Sequence, residues 1–143
     1  MASKDIHNNL HFVPLIVPVA ARTDNTAIVS AIIDTKGYES AEFVLVTGAN
    51  TDVNATFAVL VEDGDNSGLS DNVAVDDKFL LGTEAGAAFT FADDGECRKI
   101  GYVGGKRSVR VTVTPSGNDA GNIFISGVAV LGKARNAPTP TLS

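Results

Sequence analysis

Residues 107–114, RSVRVTVT, alternate apolar and polar side chains at a period of two. Val109, Val111 and Val113 project to one side and Ser108, Arg110, Thr112 and Thr114 to the other, which is the pattern of a strand with one dry face and one wet face. The same period recurs along most of the chain, in runs of Val, Ile, Thr and Phe bounded by Gly, Asp and Asn. No stretch longer than ten residues carries a clean helical stripe. Strands are expected near 11–20, 26–33, 41–47, 55–62, 78–81, 88–91, 98–103, 107–114 and 122–131, the spacing of an all-β sandwich or barrel.

Two local features sharpen this expectation. In RKIGYVGGK the pair Gly104-Gly105 lies between two strand-like runs, and a type I′ turn needs positive φ at both central residues, so a hairpin is expected over 98–114. In NIFISGVAVLG, Gly127 interrupts a strand, which signals a bulge or a close backbone approach. EFVLVTG and ATFAVLVEDG are apolar on both rows and read as central strands. The polar residues 1–10 and the Pro-rich 132–143 (GKARNAPTPTLS) are expected as an N-terminal arm and an extended C-terminal tail around a domain of residues 11–131.

At 143 residues the chain suits one domain that buries roughly two-thirds of its unfolded surface. Its single cysteine, Cys97, forms no internal disulfide, and no Cys/His cluster suggests zinc, so a reducing cytoplasm is the expected site of folding. The start MASKDIHNNL lacks the pattern of a secretory leader, and the nearby apolar run FVPLIVPVAA holds two prolines, so no membrane association is expected. The absence of Trp, with aromatics at 6 %, weighs against sugar-stacking and single-strand nucleic-acid platforms.

The net charge of −6 is unevenly placed. Residues 1–96 hold sixteen acids against four bases, a net of −12, whereas 97–143 hold Asp119 against seven bases, a net of +6. An acidic whole repels phosphate, so nucleic acid is not an expected partner. The basic residues are expected to pair with the acids of this chain or of a neighbouring subunit.

The candidate sites are few. His7 and His11 have the spacing of a helical metal pair, but HNNLH runs into Phe-Val-Pro without a helical stripe. GGKR lacks the first glycine and the Ser or Thr of a phosphate loop, and no G-x-S-x-G elbow exists. Cys97 stands beside Arg98 and Lys99 but without a histidine partner. The stretch EDGDNSGLSDN, residues 62–72, spaces Asp63, Asp65, Ser67 and Asp71 like the start of a calcium loop, yet Ala74 stands where the bidentate Glu belongs. A solvated Asx-turn loop is the alternative reading. No catalytic residue and no cofactor is expected.

The phrases DTKGYESAEFVLVTG, LLGTE and RKIGYVGGKRSVRVTVTPSG…GVAVLGKAR resemble a family of small proteins from the head genes of tailed bacteriophages, over about residues 30–135. The resemblance implies a capsid decoration, or cement, protein: a jelly-roll-like antiparallel β-sandwich on the outer surface of the virion, made in the host cytoplasm. Its implied partners are the major capsid protein and itself, as a homodimer or a trimer. The family offers no catalytic residues to carry over, and GYVGGKR is carried over only as a structural hairpin. With the two arms taken as contacts, the expected capsid or subunit contact residues are His7, Asn8, Asn9, His11, Arg107, Lys133 and Arg135. A tail or connector component and a calcium-dependent carbohydrate-binding sandwich are the alternatives.

Overall fold

The computed structural model describes residues 4–142, so the outermost residues of both expected arms lie outside it. Its strands are β1 (His11–Ile16), β2 (Ile28–Val29), β3 (Ile33–Asp34), β4 (Tyr38–Asn50), β5 (Thr56–Gly64), β6 (Val73–Ala74), β7 (Leu80–Leu81), β8 (Phe89–Thr90), β9 (Cys97–Tyr102), β10 (Ser108–Ser116) and β11 (Ile123–Ala134). A four-residue helix, α1 (Glu84–Ala87), precedes β8. The front sheet runs β1-β11-β4-β9-β7, and the back sheet runs β2-β10-β5-β6 with β3 also on β10 and β8 also on β5.

All pairings are antiparallel and they nest. β1 pairs with β11, β2 and β3 with β10, β4 with β9, and β5 with β6 and β8. A folded ribbon rolled up on itself produces this nesting, and the result is a jelly roll. The wrapping also sends successive long strands to opposite sheets: β4 lies in front, β5 behind, β9 in front, β10 behind and β11 in front.

The expected 98–114 hairpin does not form. β9 pairs with β4 and β7, while β10 pairs with β5, β2 and β3, so the two share no ladder. Gly104-Gly105 bridges the sheets, and neither glycine has the positive φ that a type I′ turn demands. Gly104 meets a different need, since a Cβ there would lie 2.5 Å from the Tyr102 hydroxyl.

Several boundaries also move, for local reasons. β1 stops at Ile16, and Pro14 is tolerated inside it because β1 is an edge strand with no ladder on its outer side. The expected 26–33 strand is two short pieces, between which Ser30 donates its backbone N–H to the Val111 carbonyl and its hydroxyl accepts the Val111 N–H. Residues 77–79 form a 3₁₀ turn capped by Asp76 rather than the start of a strand. β11 runs to Ala134, three residues past the expected end of the domain at 131.

The period-two rows deliver the core. Val109, Val111 and Val113 are fully buried and share one core with Phe57 and Val61 of the adjoining β5 and with Phe43, Leu45 and Ile100 of the front sheet. Phe57 and Phe89 stack with centroids 4.6 Å apart. Gly127 lies on the inner row of β11, where a Cβ would press on Leu15 and Leu45, and β1 bulges opposite it between Pro14 and Ile16.

The two outer faces differ. On the back sheet the outward residues of β5 and β10 are more polar: Arg110 pairs across the ladder with Glu62, and Thr112, Thr114 and Thr56 stand around them, broken by Ala58 and Leu60, with Val29 of β2 beside Thr112. On the front sheet the outward rows are mainly apolar. One runs Phe12–Val130–Glu42–Gly101–Leu81, the next Pro14–Val128–Val44–Lys99, and the third Ser126–Val46–Cys97.

Candidate functional site

One end of the sandwich gathers the described parts of both terminal segments. The described tail turns back after Ala134, and Thr139, buried at 5 % exposure, donates its N–H to the Asn8 carbonyl at 2.9 Å and its hydroxyl to the Leu10 carbonyl at 2.5 Å. Its hydroxyl also lies 3.4 Å from the His7 carbonyl. The arms are therefore clasped to one another rather than extended separately. The N-terminal segment is held by its own turn, in which Asp5 accepts from the Asn8 N–H and side-chain amide, and its carbonyl accepts from the Asn9 amide.

This end is continuous with the start of β4. The His11 ring stacks on Tyr38 at 5.7 Å and approaches the Pro140 carbonyl at 3.4 Å. Ala134 pairs with Tyr38, and Arg135 donates its N–H to the Gly37 carbonyl. From there Thr35 donates its N–H and its hydroxyl to the Arg107 carbonyl, and the Arg107 guanidinium grips Asp34 with two bonds of 2.9 and 2.8 Å. His7, Asn8, Asn9, His11 and Arg135 thus gather about the clasped end, Lys133 lies one residue before the Ala134–Tyr38 pair, and Arg107 connects to this end only through Thr35 and Asp34.

Lys36, Lys133 and Arg135 at this end enter no ion pair among the described residues. By contrast, Arg98, Lys106, Arg107 and Arg110 each hold an acid of this chain: Asp93 and Glu96, Asp65, Asp34, and Glu62 respectively. The +6 segment is thus partly neutralised by the −12 segment, with its unpaired remainder including the clasped end. The Arg107 bonds hold the Asp34 carboxyl below its ordinary range. Lys133 adopts φ +50, a left-handed backbone unusual for a lysine, where the chain leaves the ladder. Thr139 and Tyr38, which organise the end, carry no short-range sequence signal, because the Thr139–Leu10 bond spans 129 residues.

The acidic loop 62–72 is closed by its own side chains. Leu69, 2 % exposed at φ +53, plugs it from inside. Asp71 turns inward to accept from the Asp65 and Asn66 N–H groups, which favours its ionised form and holds its carboxyl below the ordinary range. Asp65 takes the Lys106 ammonium at 2.8 Å, and Asp63 takes the Tyr102 hydroxyl at 2.7 Å. The carboxylates of Asp63, Asp65 and Asp71 thus face three different partners instead of a common point, and among the described residues no group of three or more His, Cys, Asp or Glu converges to hold a metal. His7 and His11 lie on a turn and an edge strand, not on a helix.

No protein-family model matches the chain, and no curated protein matches it. Among solved structures it is similar to one of infectious bursal disease virus Gx strain, with TM-score 0.47 and 13 % identity over 90 % of this chain and 33 % of that one. It is also similar to a family two carbohydrate esterase from Cellvibrio japonicus, with TM-score 0.36 and 10 % identity over 93 % of this chain and 36 % of the other. The chain spans about a third of the length of each of these structures.

Proposed function

We propose that the chain is a structural virion protein that binds the outer surface of a tailed-phage capsid and cements contacts between capsomers of the major capsid protein. The observation that carries this reading is the clasped end. There the fold holds the two terminal segments together, and Lys36, Lys133 and Arg135 stand without ion partners among the described residues, whereas Arg98, Lys106, Arg107 and Arg110 hold acids of the chain. A rigid end with uncommitted cations suits a footing on an acidic protein surface, where such charges steer docking and fix register. The resemblance of the 30–135 phrases to phage head proteins points the same way. We read the protein as non-enzymatic, since its clustered acids are engaged in holding loops and strands together.

Cementing then follows from linkage. A protein that binds only the assembled, expanded shell lowers that state's free energy by RT ln(1 + [L]/Kd) per site. Summed over many copies, a modest single contact opposes the outward pressure of packaged DNA.

Co-sedimentation with shells stripped of the protein tests the footing. Lys133→Gly suits the left-handed backbone and removes a charge without strain. Combined with Arg135→Glu it is expected to weaken shell binding about tenfold, on the order of 1.4 kcal/mol. Thr114→Glu on the polar back face is expected to leave binding unchanged. Equal binding by all three proteins sinks the assignment of the footing to this end.

A further inference from the structure

β1 runs away from the clasped end, and past Ile16 the chain leaves its ladder as an apolar arch, Val17-Pro18-Val19-Ala20-Ala21. The arch is pinned again at Arg22, whose backbone N–H and carbonyl both bond to Ile123, at 3.0 and 2.8 Å. Between these two fixed points residues 18–21 enter no hydrogen bond among the described residues. Under the arch lies a cavity of about 220 Å³, lined also by Ile16, Ile28, Phe124 and the buried Ile123 and Ile125. Val19 of the arch is 87 % exposed, more than any other large apolar side chain described.

The lining says what the cavity can hold. Its only ionisable side chain is Arg22, which is exposed and enters no ion pair among the described residues. The acids of the neighbouring loops are turned to backbone donors: Asp24 accepts the Thr26 N–H at 2.9 Å, and Asp52 accepts those of Asp119 and Ala120. The apolar walls therefore suit an aliphatic side chain, and Arg22 suits a carboxylate. The N–H groups of Val19, Ala20 and Ala21 are open to carbonyl acceptors. Main-chain bonds combined with a side-chain pocket are the way an extended peptide is read. The volume is smaller than the roughly 300 Å³ at which sites for drug-sized ligands begin, and it suits a single anchoring side chain.

We propose that this cavity is an anchor site for an extended peptide segment of a partner protein, one that carries a large aliphatic side chain beside a carboxylate. The aliphatic group fills the space under the arch, the carboxylate meets Arg22, and the peptide backbone supplies the carbonyls that the arch lacks. The site lies at the opposite end from the clasp, so the inference goes beyond the cementing reading and does not rest on it.

Amide chemical shifts of the isotope-labelled full chain, titrated with blocked dipeptides, test the inference. Acetyl-Leu-Glu-amide is expected to shift the amides of Val19 to Arg22 and Ile123 to Ile125, with a Kd of about one millimolar. Acetyl-Ala-Glu-amide, which leaves the cavity unfilled, is expected to bind about tenfold more weakly or worse. Acetyl-Leu-Gln-amide is expected to bind about two- to fivefold more weakly, the range of an exposed ion pair. Arg22→Gln changes an exposed side chain and is expected to bind the Glu and Gln peptides equally. Val19→Asp, also at an exposed position, is expected to weaken the Leu-Glu peptide by setting a like charge on the arch. Octanoate has the apolar chain and the carboxylate but no peptide bonds, and it is expected to bind more weakly than the Leu-Glu peptide. Tighter binding by octanoate, no shift at these residues, or a preference for Glu over Gln that survives Arg22→Gln overturns the inference.

Discussion

Tyr102 joins the core to the acidic loop. Its ring is 2 % exposed, yet its hydroxyl donates to Asp63 at 2.7 Å and accepts from the Lys106 N–H at 3.1 Å. Removing that hydroxyl orphans the Lys106 donor and half-frees the Asp63 carboxylate. Tyr102→Phe is therefore expected to cost about 1–2 kcal/mol in urea unfolding. Burial first, and then the hydrogen bond to Asp63, push the Tyr102 phenol above its ordinary 10.0. A group raised in this way stabilises the fold fully below its unfolded value and loses that contribution as pH climbs above about 10. The alkaline limb of the wild-type stability curve is expected to fall more steeply than that of Tyr102→Phe.

Among the elements, what the sequence could reveal follows the range of the interactions. The period-two row of Val109, Val111 and Val113 is a local property and is buried as expected. EFVLVTG and ATFAVLVEDG, apolar on both rows, lie inside their sheets as β4 and β5, though the outer row of β4 meets solvent in the single chain. The Gly104-Gly105 hairpin failed because the strand before it is claimed by β4 and the strand after it by β5, and a turn motif carries no information about such distant partners. The clasp of Thr139 on Asn8 and Leu10 was hidden for the same reason, and the tail read only as Pro-rich. The two glycines can be told apart. A Cβ on Gly104 strikes the Tyr102 ring at 2.6 Å, so Gly104→Ala is expected to lose more than 1 kcal/mol, as overpacking does. A Cβ on Gly105 meets nothing within 4 Å and the residue has no positive φ, so Gly105→Ala is expected to be neutral or to gain about 0.4–1 kcal/mol. A type I′ hairpin would instead penalise both substitutions, and thermal melts of the pair decide between the geometries.

For the whole molecule, charge is distributed to match the jelly-roll wrapping. Nesting brings the basic β9–β10 region beside the acidic β5 region, where Arg110 meets Glu62 and Lys106 meets Asp65, so much of the sequence's polarity is neutralised internally. Among the described residues the cations outside any ion pair include Lys36, Lys133 and Arg135 at the clasped end and Arg22, Lys78 and Lys99 elsewhere. Imaging purified virions with and without the protein tests the cementing role most directly. The expected result is jelly-roll density on the outer shell between capsomers, absent from particles lacking the protein. Density confined to the tail or connector, or an unchanged shell surface, would contradict it.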